Sequence, residues 1–205
     1  MSKLLLVRHG RTKLHQDDRF WGKTDVALSE IGIRQAENLR DRLASEKIQA
    51  IYTSKLSRAR ITADIIGSRH EAAVTACTEL AEANFGYVEG LTFREVQRLH
   101  PKLADDLNSW SARPKFPGGE SIDDLDTRVQ SFLNRLKKHR QKETLLIVAH
   151  GGTLQLMICH LLGIDMKHWR KLRLSQGSLS IIETYPQGSI VNCLNDVSHL
   201  AKQAD

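Results

Sequence analysis

Long apolar runs, paired cysteines and internal repeats are what this chain lacks. Its first hydrophobic stretch, Leu4–Val7, stops at Arg8, far short of the apolar core of an export signal or a membrane span, so neither is expected. The three cysteines, Cys77, Cys159 and Cys193, are odd in number, widely spaced and in no C-x-x-C pair. That excludes a disulfide framework or a zinc knuckle and fits a reducing cytoplasm. No segment repeats, and 205 residues are enough to bury a real core, so one compact domain over residues 1–205 is expected. The tail after Asp196, about residues 197–205, is expected to be frayed.

What is present is an excess of positive charge. The net charge is +6 and the pI is near 9.3, so anionic partners are favoured, whether small phosphate esters or nucleic acid. The basic residues are scattered, however. The densest run, Lys137-Lys138-His139-Arg140-Gln141-Lys142, falls at the end of a helical pattern and reads as a solvated turn that complements the helix dipole. The expected partner is therefore a small molecule, with no nucleic acid and no membrane; a homodimer is compatible with the pattern.

Apolar runs bounded by turn residues alternate with stretches of helical period, as in an α/β domain with a mainly parallel sheet. Strands are expected at Leu4–Val7, Ile48–Thr53, Ala73–Ala76 and Leu145–Ala149. Ser29 offers an N-cap for a helix burying Ala36, Leu39 and Leu43, Ser57 another for a helix reaching about Gly67, and Ser121 a third for the stripe Leu125, Val129, Phe132, Leu133 and Leu136. Between Glu79 and Gly119 the pattern loosens, punctuated by Pro101, Pro114 and Pro117. His150-Gly151-Gly152 starts a helix that Gly163 ends. Ser178–Thr184 and Ile190–Leu194, joined by Tyr-Pro-Gln-Gly-Ser, predict a hairpin at a sheet edge.

In an open parallel sheet, ligands bind beyond the carboxyl ends of the strands, where helix N-termini converge. Arg8 and His9 follow the first strand, Arg58 lies in the first turn after the second, Glu82 in the loop after the third, and His150 with Gly151 after the Leu145 strand. Guanidinium forks and helix N–H groups make an anion site. A neutral imidazole there can attack phosphorus and form a phosphohistidine, with the arginines disfavouring protonation of His9. A protonated His150 could stabilise the transferring oxygens, and Glu82 could supply a proton to the leaving group and later take one from water. Singly, each of these residues except His9 has a duller structural explanation; their joint placement at successive strand ends points to chemistry.

The same residues carry a resemblance. Arg8-His9-Gly10-x-Thr12 resembles the R-H-G-x-T signature of the histidine phosphatase superfamily, also called phosphoglycerate mutase-like. Asp25-x-x-Leu28-Ser29-x-x-Gly32-x-x-Gln35-Ala36, Ser54-x-Leu56-x-Arg58-Ala59-x-x-Thr62-Ala63, Leu80-x-Glu82-x-x-Phe85-Gly86-x-x-Glu89-Gly90 and Ala149-His150-Gly151-Gly152 are similar to further segments of that family, in the family's order. The resemblance implies a phosphoglycerate mutase-like fold, a three-layer α/β/α sandwich whose mainly parallel sheet has an antiparallel edge. It implies His9 as the phosphorylated nucleophile, Glu82 as proton donor and Arg8, Arg58 and His150 as the phosphate pocket, with Gly151 beside them. His15 stands where many members carry a phosphate-touching Asn, and Trp21 and Gly22 are expected to shape the leaving-group side.

Two features choose a branch. Cofactor-dependent mutases usually carry E-R-H-Y-G in the acid loop, whereas this loop reads Glu82-Ala83-Asn84-Phe85-Gly86. The form Phe85-Gly86-Tyr87-Val88-Glu89-Gly90, followed by Pro117-Gly118-Gly119-Glu120-Ser121, resembles the phosphatases, including α-ribazole phosphatase of cobalamin assembly. The expected activity is thus metal-independent, cofactor-free hydrolysis of a phosphomonoester, α-ribazole 5′-phosphate among the candidates. The alternatives are a phosphoglycerate mutase, a metal enzyme with His9, His150 and Glu82 as ligands, which two arginines would oppose, and a non-enzymatic binder of phosphorylated ligands.

Overall fold

The computed structural model describes residues 2–14, 19–109, 113–139 and 142–200. Among them, β1 (Ser2–Arg8), β2 (Ile48–Thr53), β3 (Val74–Ala76), β4 (Thr144–Ala149), β5 (Leu179–Tyr185) and β6 (Gly188–Asp196) form one sheet of order β3-β2-β4-β1-β5-β6. The first four run parallel, β5 returns antiparallel to β1, and β6 is antiparallel to β5.

The central strands β1 and β4 carry unbroken apolar runs because both of their faces are covered. Alternation then sorts the side chains. Leu5 and Val7 of β1, with Leu146 and Val148 of β4, meet Leu39 and Leu43 of α1 (Glu30–Leu43) and Ala59, Ala63 and Ile66 of α2 (Ser57–Gly67). Leu4 and Leu6, with Leu145 and Ile147, face Leu125, Val129 and Phe132 on the opposite side. Those three belong to α5 (Ile122–Leu136), beside α6 (Gly151–Leu162) and its Leu154, Met157 and Ile158. Each such side chain contributes roughly 1.5–3 kcal/mol on burial, and the two cores make the expected three-layer sandwich. The loosely patterned segment holds α3 (Phe93–Leu99) and α4 (Pro101–Asn108).

Most helix starts follow the expected chemistry. Ser29 Oγ accepts from Gly32 N (3.1 Å), and Ser121 and Asp124 form a reciprocal capping box. Ser57 differs: the capping position is Leu56, and Ser57, one residue inside the helix, donates from both its N and Oγ to Asp25 Oδ1. An acceptor from a distant loop has taken over the role assigned to the local hydroxyl. β3 starts at Val74, one residue late; β5 is shifted one residue along the chain and β6 is longer than expected, with Tyr185 paired to Gly188 across a two-residue turn. In the basic run after α5, Lys137, Lys138 and Lys142 are exposed as expected, and His139 alone among the described residues departs, hydrogen-bonded to Tyr52 Oη (2.7 Å) and to Glu143 (2.6 Å). The tail is held as far as Leu200, because Asn38 donates to the His199 carbonyl and Arg42 to Ser198; residues 201–205 lie outside the described residues.

The register aligns Arg8 with Ala149 and Thr53 with Val148, so β1, β2 and β4 end together. The turn after β1 packs on the start of α1, where a Cβ on Gly32 would stand 2.0 Å from the Arg11 carbonyl oxygen and one on Gly10 would stand 2.4 Å from the Gly32 carbonyl oxygen. Gly32→Ala is expected to lower stability in urea denaturation by about 2 kcal/mol, because its obstacle, the Arg11 main chain, cannot rotate away.

Candidate active site

Four strand-end segments converge on one crevice. His9 follows β1 with its N–H on the Ala149 carbonyl (3.1 Å), and its ring Nδ1 lies 2.8 Å from the Gly10 carbonyl oxygen. A carbonyl only accepts, so Nδ1 carries the proton and the lone pair of the neutral ring is on Nε2. Gly10 N donates to Thr62 Oγ1, which donates in turn to the Arg58 carbonyl, tying the His9 turn to α2.

His150 caps α6 and is fully buried, its ring centroid 5.1 Å from that of His9. Ser54 Oγ accepts from Leu56 N and lies 2.8 Å from His150 Nε2. With the hydroxyl proton directed to Nε2, the ring N–H falls on Nδ1, which is buried with no hydrogen-bond partner. Sequence reasoning assigns this histidine a positive charge. Burial above all, then the nearby His9, Arg58 and Arg8, instead hold it well below its ordinary value of 6.5, so it enters the site as a neutral N–H donor.

Two guanidinium groups flank the histidines. Arg8, partly buried, donates through Nη1 to the Leu174 carbonyl (2.6 Å), and Arg58, 1% exposed, donates to the carbonyls of Thr24 (2.8 Å) and Gly22 (2.6 Å). Burial lowers the pKa of both, while the Glu82 carboxylate opposes that shift. Glu82 accepts from Gly152 N at the head of α6 (3.1 Å) and from Ala83 N (3.0 Å). Arg8, His9, Arg58 and Glu82 line a single cavity of about 250 Å³.

The other expected residues are distributed unevenly. Trp21 lines this cavity. Gly22 stands behind it, with its carbonyl on Arg58 and its Cα against the Ala83 carbonyl, where a Cβ would come within 1.9 Å. Gly151 packs beside the Arg8 guanidinium, 3.5 Å from where its Cβ would lie. His15 lies outside the described residues.

Several cavity or support residues escaped sequence reasoning. Thr12, Arg19 and Gln176 line the cavity; Thr12 stood inside a quoted motif, whereas nothing local marks Arg19 or Gln176. Glu89 is the most consequential. Its carboxylate accepts from the backbone N–H groups of Gly22, Lys23, Thr24 and Phe85, and so holds the loop whose carbonyls hold Arg58. Its motif position was visible, but the strap it makes joins residues more than sixty positions apart.

Comparisons with known proteins place the chain in one family. The sequence model of the histidine phosphatase superfamily (branch 1) matches residues 4–197. Phosphoserine phosphatase 1 of Hydrogenobacter thermophilus is 31% identical over 98% of this chain and 96% of its own. The crystal structure of a putative α-ribazole-5′-P phosphatase from Escherichia coli superposes with a TM-score of 0.87 at 29% identity, covering 95% of this chain and 96% of that one. Phosphoserine phosphatase from Entamoeba histolytica, in complex with 3-phosphoglyceric acid, gives a TM-score of 0.84 at 28% identity, over 98% of this chain and all of that one.

Glu89→Ala removes the acceptor shared by four backbone donors. It is expected to weaken inhibition by inorganic phosphate about tenfold and to cost about 3 kcal/mol in denaturation. The buried His150 sets a pH dependence of stability. Above its ordinary value of 6.5, folded and unfolded chains both hold it neutral. Below that pH the unfolded chain takes a proton that the folded chain refuses, so stability falls by up to about 1.4 kcal/mol per pH unit until the folded value is reached. Denaturation midpoints of His150→Gln are expected to fall less steeply than the parent's from about pH 7 to pH 5. His70 and His199, also held down first by burial, account for slope that remains.

Proposed function

This chain belongs to the histidine phosphatase superfamily (branch 1) and is a phosphatase of that family, and we propose that it hydrolyses small phosphomonoesters through a phosphohistidine on His9. The observation that carries the proposal is the His9 ring, whose Nδ1 contact to Gly10 puts the lone pair on Nε2, in one cavity with Arg8, Arg58 and Glu82.

In the first step the Nε2 lone pair attacks phosphorus and the bond to the ester oxygen breaks. Glu82, protonated, gives its proton to that oxygen, and the products are a free alcohol, a carboxylate and phosphohistidine. In the second step Glu82 takes a proton from water, the water oxygen bonds to phosphorus, and the N–P bond breaks to release phosphate and neutral His9. Arg8 and Arg58 hold the non-bridging oxygens, which take the place of the counter-charge that two buried guanidinium groups otherwise lack. The neutral His150 supplies its Nδ1–H to the same oxygens, and its lack of charge leaves the dianion's affinity to the arginines.

The natural ester belongs to the proposal as well. Relatives are named for phosphoserine and for α-ribazole 5′-phosphate, and α-ribazole 5′-phosphate remains a candidate here. The proposal also takes residues 1–205 as one domain and the cytoplasm as its location, supported by free thiols at Cys77, Cys159 and Cys193. Among the described residues no helix is long and apolar enough to cross a membrane.

His9→Ala is expected to abolish hydrolysis of p-nitrophenyl phosphate and the acid-labile ³²P label on the quenched protein; retained turnover would overturn the mechanism. Glu82→Gln is expected to slow alkyl phosphates about a hundredfold and aryl phosphates far less, because only poor leaving groups depend on protonation. Turnover undiminished in excess EDTA, and independent of 2,3-bisphosphoglycerate, separates this reading from the metal-dependent and mutase alternatives.

A further inference from the structure

We propose that the leaving group of the natural substrate carries a flat, largely apolar ring, bound in a pocket on the far side of Glu82 from His9. The inference rests on the phosphohistidine mechanism above and specifies the alcohol half of its ester.

The cavity over His9 is polar and adjoins two others. One, of about 180 Å³, is lined largely by carbon: Phe20, Phe85, Leu107, Phe116, Leu125 and Trp169 are half of its lining residues, and Glu82, Gln155 and Arg170 are the charged or amide ones. The other, of about 510 Å³, is cationic, with Arg8, Lys171 and Arg173 among its lining residues. Size and charge alone would favour the cationic one as the place for a second anionic group.

Glu82 decides between them. The proton donor must touch the ester oxygen, so the alcohol leaves the phosphate past Glu82. That residue lines the polar cavity and the carbon-lined pocket, while the lining of the cationic cavity does not include it. Glu82 is also the one residue common to the first two linings. The pocket thus starts where the substrate's C–O bond ends.

The pocket's chemistry then selects its occupant. Phe20 and Phe85 meet edge to face at 5.4 Å, and Phe85 and Phe116 at 4.8 Å, and a further ring continues that series. A dry cavity of about 150 Å³ accepts benzene, so 180 Å³ accommodates a single ring. Two polar groups in the wall are held by main-chain carbonyls: Gln155 Nε2 donates to the Leu172 carbonyl, and Arg170 Nη1 to the carbonyls of Leu107 and Ser109; Trp169 Nε1–H is buried with no acceptor among the described residues. The ammonium of a phosphoserine leaving group would be stripped of water among these rings. A flat ring loses nothing by the same transfer.

The test compares kcat/KM of the full chain for benzyl phosphate, ethyl phosphate and O-phosphoserine. Benzyl alcohol and ethanol are of similar acidity, so the chemical step treats the first two alike. Benzyl phosphate is expected to exceed ethyl phosphate by about tenfold or more, chiefly through KM, and phosphoserine is expected to be no better than ethyl phosphate. Leu107→Trp, which fills the pocket from the end of α4, is expected to bring the benzyl-to-ethyl ratio close to one; the parent ratio stands as a test even where this variant does not fold. A parent ratio near one, or a preference for phosphoserine over benzyl phosphate, overturns the ring pocket while hydrolysis through His9 stands. Failure to hydrolyse any of the three, or p-nitrophenyl phosphate, overturns the mechanism beneath it.

Discussion

Two guanidinium groups buried beside two imidazoles are the constraint around which the rest of this molecule is arranged. Arg58 is removed from water and Arg8 largely so, and among the described residues their hydrogen-bond partners are main-chain carbonyl oxygens: Leu174 for Arg8, Gly22, Thr24 and Trp21 for Arg58. Carbonyls orient a cation without neutralising it, and a buried cation without a counter-charge is costly. The nearest negative charge with a share in both is Glu82, which the chemistry also needs. In the mechanism proposed above, an entering phosphate dianion relieves this imbalance.

Holding that arrangement falls to residues outside the reaction. Glu89 collects the N–H groups of the 22–24 loop and faces that loop's carbonyls toward Arg58. Arg128 does the same for the acid loop: it donates to the carbonyls of Glu79, Ala81 and Glu82 and pairs with Glu120, which accepts from Asn84 N. Ser54 holds the His150 ring at Nε2 while accepting from Leu56 N. In each case a single side chain with several hydrogen bonds converts a loop into a rigid support, which is what lets loops carry chemistry on a sheet scaffold. The apolar pocket beyond Glu82 is made by the same acid loop and by α4, so positioning of the proton donor and shape of the leaving-group side are decided together.

Much of this was legible in the residues alone, and the legible part has a common physical character. Strands β1 and β4 announce themselves as apolar runs because both faces are buried, and α1 and α5 as stripes because one face is. Where expectation and structure part, a distant group has intervened. Asp25 takes the serine that reads as a cap for α2. Tyr52 and Glu143 take the histidine from a run that reads as solvated. Contacts to α1 hold a tail that reads as frayed.

The sequence by itself determined the parallel sheet, the strand ends that bear Arg8, His9 and His150, the family, and the class of reaction, because these depend on local periodicity and on short motifs. Tertiary structure alone decided the charge of His150, since burial is a property of what surrounds a residue and not of its neighbours in the chain. It alone brought Arg19 and Gln176 to the cavity and made Glu89 the holder of Arg58. And it alone set Glu82 on the wall between a polar cavity and a carbon-lined one, because a cavity is made by segments that meet only when the chain is folded.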